Sequence, residues 1–127
     1  MKIFGIGTDI IETSRFKKLI KTKSLLKRLF SELEITKCSK IKNYTNCYAK
    51  RFAAKEAFSK ALGTGIAKGI NFNEIVVLNN KNGKPFIRLI KKTKKNVEKR
   101  LRNKKYKISL SLSDEANYAV AFVTISI

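Results

Sequence analysis

Four alanines at four-residue spacing, Ala49, Ala53, Ala57 and Ala61, constrain the fold of this chain more than any other feature. On a helix they share one face, a stripe of small side chains against which a second backbone can pack closely. The same stretch, Arg51-Phe52-Ala53-Ala54-Lys55-Glu56-Ala57-Phe58-Ser59-Lys60-Ala61-Leu62-Gly63-Thr64-Gly65, carries one carboxylate and several cations into a glycine turn. Glu56 and Lys60 are four apart and therefore neighbours on the helix surface. Gly63-Thr64-Gly65 ends the helix, as glycine does after a last helical turn. Alone, the segment equally describes an ordinary packed helix with a surface ion pair.

The N-terminus adds a second constraint. Lys2-Ile3-Phe4 and then Gly5-Ile6-Gly7-Thr8-Asp9-Ile10 form a short apolar run that reads as a buried strand. Its two glycines permit close backbone approach. Asp9 interrupts Ile6 and Ile10-Ile11 with a charge, which is costly in an apolar strand unless something pairs with it. Asp9 and Asp114 are the only aspartates in the chain. Capping of the next helix, or an ion pair with a lysine, would also account for Asp9.

The 127 residues fit one domain, 1–127, with a single core. A hydrophobic fraction of 43% with one proline marks a folded chain. No apolar stretch approaches the roughly 20 residues needed to span a bilayer, and no secretory signal is evident. Cys38 and Cys47 lack metal-site spacing and are expected to be free thiols in a reducing cytoplasm. Histidine is absent altogether. That removes imidazole as base, zinc ligand or nucleophile activator, and leaves carboxylates, lysines, hydroxyls or a hard metal.

The formal charge is +20. Up to Gly63 there are 15 basic and 5 acidic residues, and beyond it 14 and 4, so the excess is spread over the chain rather than held in a tail. Such a surface attracts polyanions: nucleic acid, an anionic membrane or an acidic protein. Lysine outnumbers arginine 23 to 6, a pattern that biased base composition also produces.

Periodicity and turn chemistry predict mixed structure. Thr13 or Ser14 can cap a short helix containing Phe16, Leu19 and Ile20, and Leu25 to Phe30 suggest further helical turns. Ser31-Glu32-Leu33-Glu34 fits a capping box. The alanine-rich helix is placed from about Thr45. Ile75 to Leu78 and Pro85 to Ile90 flank Asn82-Gly83, a hairpin signal. Lys91 to Lys105 reads as a basic surface helix over a thin apolar face at Val97 and Leu101. Ile108, Leu110 and Leu112 alternate with Ser109, Ser111 and Ser113, and Tyr118 to Ile127 supplies a partner strand. The fold class is α+β, an antiparallel sheet packed against helices.

The Gly5–Ile10 segment and the Phe52–Gly65 segment together resemble the holo-acyl-carrier-protein synthase family, the small phosphopantetheinyl transferases. Asn82-Gly83-Lys84-Pro85, Ser109 to Glu115 and Tyr118-Ala119-Val120-Ala121 also fit that family, in the expected order over essentially the whole chain. The resemblance implies the phosphopantetheinyl transferase fold and transfer of 4′-phosphopantetheine from coenzyme A to a serine of apo-acyl carrier protein, releasing adenosine 3′,5′-bisphosphate. It implies Asp9 and Glu56 as magnesium ligands and Lys60 as the neutraliser of a phosphate oxygen. The serine proton would pass to Glu56 or to a metal-bound water. Arg51, Gly63, Thr64, Gly65 and Lys84 fall where the family contacts the nucleotide part of coenzyme A, although a helix cap explains the glycines equally well. Ser111 and Ser113 lie on the matching strand. Asp114 stands where some relatives have histidine, and Thr8 where leucine is expected. Arg15 matches a basic position that meets acidic carrier protein, with Lys17, Lys18 and Lys21 nearby, and relatives assemble as trimers with shared active sites.

The rival class is a nucleic-acid-binding protein, favoured by charge and by the Lys91 to Lys105 segment. Against it, the chain has no zinc-finger spacing, no aromatic RNA-reading motif and no P-loop ending, and nucleic-acid binding leaves Asp9 unexplained. Neither nucleic acid nor membrane is the expected partner.

Overall fold

The computed structural model describes residues 1–63 and 69–127. Strand β1 (Ile3–Glu12) leads through a 3-10 turn (Thr13–Arg15) into α1 (Phe16–Leu19), α2 (Lys23–Leu29), α3 (Glu32–Ser39) and the long α4 (Tyr44–Leu62). A second 3-10 turn (Phe72–Glu74) precedes β2 (Ile75–Asn79), β3 (Pro85–Leu89), α5 (Lys91–Arg100), β4 (Lys107–Glu115) and β5 (Tyr118–Ser126). β1, β5 and β4 form one antiparallel sheet in that order, and β2 and β3 form a separate hairpin. The α+β expectation holds. No described helix is long and apolar enough to cross a membrane.

Small residues decide how α4 meets the sheet. The pleat of β1 directs Gly5, Gly7, Asp9 and Ile11 to one face, opposite Ile125, Val123, Ala121 and Ala119 of β5. A Cβ on Gly5 would lie 1.8 Å from the carbonyl oxygen of Ala61, and one on Gly7 would lie 1.9 Å from that of Ala57. The helix backbone therefore rests directly on the strand backbone, a contact only glycine allows. Ala49, Ala53, Ala57 and Ala61 are all buried. On the other side of α4 the short helices close the core through aromatic contacts, with ring centroids 4.8 Å apart for Phe30–Tyr48 and 5.4 Å for Phe16–Phe52.

Local signals explain most boundaries. Asn43 caps α4 by accepting from Asn46 N at 3.3 Å, and Gly63 ends it at φ 85°. The Ser31–Glu34 capping box is present. The expected cap on the first helix is not: the chain passes from β1 into the 3-10 turn with no side-chain cap, while Thr13 N bonds Asn117 O at 2.7 Å. Cys38 and Cys47 are a disulfide rather than free thiols. The turn between α3 and α4 brings their Cα atoms to 5.5 Å, within reach of a bridge, and both side chains are buried.

Candidate active site

The contact of α4 on β1 brings Asp9, Glu56 and Lys60 together. Lys60 Nζ donates to Thr8 O at 3.0 Å and to Asp9 Oδ1 at 3.3 Å. Glu56, one turn earlier on the same helix, is half-buried. Burial, and then the nearby Asp9 charge, push its carboxyl above the ordinary glutamate range, against an opposing pull from Lys60. Two carboxylates so disposed favour a cation between them. Their all-oxygen donor set suits magnesium, which takes one or two carboxylates and completes its shell with water and substrate phosphates. Among the described residues no group of three His, Cys, Asp or Glu could hold a metal by itself.

A second cluster lies around Arg51, which is only 5% exposed. Its Nη1 donates to Cys47 O and Cys47 Sγ, both at 3.2 Å, and Nη2 to Asn79 Oδ1 at 3.1 Å. Among the described residues Nε finds no acceptor. Arg51 borders a hollow also lined by Lys37, Lys50, Lys81 and Asn46. Lys37 Nζ shares the Asn79 Oδ1 acceptor at 2.7 Å. Partial burial, and then the charges of Arg51 and Lys50, push the Lys37 ammonium below the ordinary lysine range. Asp114 lies 3.5 Å from Lys50 Nζ and accepts from Asn46 Nδ2 at 3.0 Å, outside the lining of the hollow. The excess of cations around this hollow favours an anion there.

The remaining predicted residues are more scattered. Gly63 is the C-cap of α4, where Arg100 Nε donates to Leu62 O at 3.3 Å. Thr64 and Gly65 lie outside the described residues. Lys84 is exposed in the β2–β3 turn, beside Gly83, which lines the hollow. Ser111 and Ser113 are exposed on β4, and Thr8 donates its hydroxyl to Ala121 O at 3.1 Å. Arg15, Lys17, Lys18 and Lys21 are exposed around α1. Sequence reasoning missed Lys37, Lys50 and Lys81. Only the adjacency of Lys50 to Arg51 hinted at one of them.

Residues 5–123 match the model of the 4′-phosphopantetheinyl transferase superfamily. The chain is 50% identical over 123 residues to the holo-[acyl-carrier-protein] synthase of Pelagibacter ubique, covering 97% of this chain and 96% of that protein. The crystal structure of holo-[acyl-carrier-protein] synthase from Neisseria meningitidis superposes with a TM-score of 0.88 at 35% identity, covering 98% of this chain and 99% of the other. A synthase from Bacillus anthracis, solved in complex with coenzyme A (3′,5′-ADP), gives 0.80 at 35% identity, covering 98% and 97%. The chain belongs to the 4′-phosphopantetheinyl transferase superfamily, in its holo-[acyl-carrier-protein] synthase family, and is a transferase.

Proposed function

We propose that this enzyme moves the 4′-phosphopantetheine arm of coenzyme A onto a serine hydroxyl of an acidic acyl carrier protein, with magnesium, and releases adenosine 3′,5′-bisphosphate. The observation that carries the reading is the seating of α4 on Gly5 and Gly7, which sets Glu56 and Lys60 beside Asp9. The serine oxygen forms a bond to the β-phosphorus of coenzyme A, and the bond from that phosphorus to the bridging oxygen breaks. The bridging oxygen leaves with the nucleotide, and the serine proton passes to the Glu56 carboxylate or to water at the site. Lys60 neutralises charge on a phosphate oxygen. Magnesium held by Asp9 and Glu56 would supply Lewis-acid polarisation of the pyrophosphate oxygens.

The cationic hollow suits a phosphate of the nucleotide half, with Arg51 as the fixed donor and Lys84 nearby, while Gly63, with Thr64 and Gly65, would meet another part of the nucleotide, since twelve helical residues set Gly63 about 18 Å from Arg51. Residues 51 and 56 are about 140° apart around a helix, at ~100° per residue, so the hollow and the carboxylates face different directions. This divergence supports a trimer in which each coenzyme A lies between the carboxylates of one chain and the hollow of the next. The outer sheet face supports it too: Ile6, Ile10 and Phe122 are 59%, 65% and 45% exposed on adjacent strands. Arg15, with Lys17, Lys18 and Lys21, offers the acidic carrier protein a complementary surface. We place the enzyme in the cytoplasm, with the Cys38–Cys47 bond kept by its burial.

Chromatographic detection of adenosine 3′,5′-bisphosphate tests the reading. The nucleotide should accumulate only when apo-carrier protein, coenzyme A and magnesium are all present. It should cease on chelation and resume when magnesium is restored. Release without carrier protein, or release indifferent to chelation, would contradict it.

A further inference from the structure

Directly behind Glu56 lies a buried ion pair that the transfer chemistry leaves unused. Lys55 is fully buried, and its ammonium has three acceptors, Glu34 Oε1, Phe72 O and Ile75 O, each at 2.7 Å. Glu34, 1% exposed, also accepts from Ser31 N at 2.9 Å and, through Oε2, from Val77 N at 3.1 Å. The pair therefore ties α4 to α3 and to the segment that becomes β2. As a source of stability such a pair is poor, because desolvation offsets most of its attraction. As a geometric clamp it is good: charge-assisted bonds are short and directional, and every donor of the ammonium is used.

The clamp acts where the site is most sensitive. Lys55 and Glu56 are consecutive, about 100° apart around the helix, so Lys55 reaches into the α3–β2 side while Glu56 reaches the Asp9 side. Contact with Gly5 and Gly7 sets the distance of α4 from β1 and the face that meets it, and leaves the finer rotation of the helix about its axis to contacts on its far side. Three bonds from Lys55 to fixed acceptors fix it. We propose that Glu34 and Lys55 are positioning residues, a buried pair that sets the rotation of α4 and so holds the Glu56 carboxylate opposite Asp9. This inference rests on the transfer function proposed above.

The test compares wild type, Lys55→Met and Glu34→Gln as full-length proteins, at a temperature well below each variant's Tm. Two quantities are read: transfer kinetics with magnesium, and affinity for Mn2+ measured by the spin resonance of the free ion. Lys55→Met should lower kcat by about tenfold to a hundredfold, the cost of roughly an ångström of misplacement, with KM for coenzyme A within about twofold. Its Mn2+ affinity should fall about tenfold, as when an outer support of a ligand is lost. Glu34→Gln, which keeps the lysine and both carbonyl acceptors, should show the same pattern less strongly, and it decides the matter if Lys55→Met does not fold. A lowered Tm with kcat and Mn2+ affinity unchanged would reduce the pair to a structural role and overturn the proposal, leaving the transfer function standing. If wild type binds Mn2+ but transfers nothing, the function falls instead, and the Mn2+ comparison alone decides whether the pair positions Glu56.

Discussion

Glu56 carries the sharpest prediction at the scale of single residues. Its carboxyl holds a proton above the ordinary glutamate value of 4.5 because it is half-buried and because Asp9 lies close. A raised proton affinity means that the carboxylate form, which the transfer needs, is lost earlier as pH falls. Carbon-13 titration of the metal-free protein should place the Glu56 midpoint above 4.5. Asp9→Asn, by removing a like charge, should lower that midpoint partway, since burial is the larger cause. A midpoint unchanged in Asp9→Asn would show that Asp9 does not act on Glu56. Asp9, Glu56 and Lys60 each stand out locally in the sequence, as an acid in an apolar strand and an acid and a base on an alanine-rich helix, whereas their shared role is what the family resemblance implies. Lys37 and Lys81 were not legible. In a chain with 23 lysines, nothing but the fold distinguishes the two that come to lie beside Arg51.

Among the secondary-structure elements, the pairing of α4 with β1 governs the rest. Gly7→Ala places a methyl group 1.9 Å from Ala57 O, so helix and strand must separate. The expected cost is about 1–3 kcal/mol of stability, as for other overpacked cores, together with a larger loss of activity than of stability because Glu56 and Lys60 move away from Asp9. Chemical denaturation and transfer assays on the same preparation measure both. A stable Gly7→Ala protein with full activity would contradict the account. Periodicity and turn residues foretold α4, the β2–β3 hairpin, the β4–β5 pair and the capping box, because these depend on near neighbours. Several features escaped it. β1, read as a buried strand, leaves Ile6 and Ile10 59% and 65% exposed on its outer face. The first helix has no side-chain cap because the chain enters it through a 3-10 turn. The Cys38–Cys47 bond depends on the path of the turn between α3 and α4, which brings together residues nine apart.

At the scale of the whole molecule, the proposed sharing of sites between chains makes an inactive pair of variants informative. Asp9→Asn removes a carboxylate from one side of the shared site, and Arg51→Met removes the anion donor from the other. Each variant alone should be nearly inactive. Co-expressed, they should form mixed trimers in which some sites combine an intact Asp9 from one chain with an intact Arg51 from its neighbour, so part of the activity returns. Light scattering should give three chains per particle. A monomer in solution, or mixed protein no more active than its parts, would confine each site to one chain and contradict the assembly. The spread of positive charge was readable in the sequence, whereas the assembly came only from family resemblance. Its physical counterpart, the apolar outer face of β1 and β5, emerges once the pleat assigns Ile6, Ile10 and Phe122 to the same side.

The central claim, that Asp9, Glu56 and Lys60 form a magnesium-assisted site for transfer from coenzyme A to a carrier-protein serine, is tested most directly by intact mass. Purified apo-carrier protein incubated with this enzyme, coenzyme A and magnesium should gain one phosphopantetheine, about 340 Da by chemical formula, and the gain should vanish with chelator and with Asp9→Asn. No gain on several apo-carrier proteins with correctly folded enzyme, or an undiminished gain with Asp9→Asn, would contradict it.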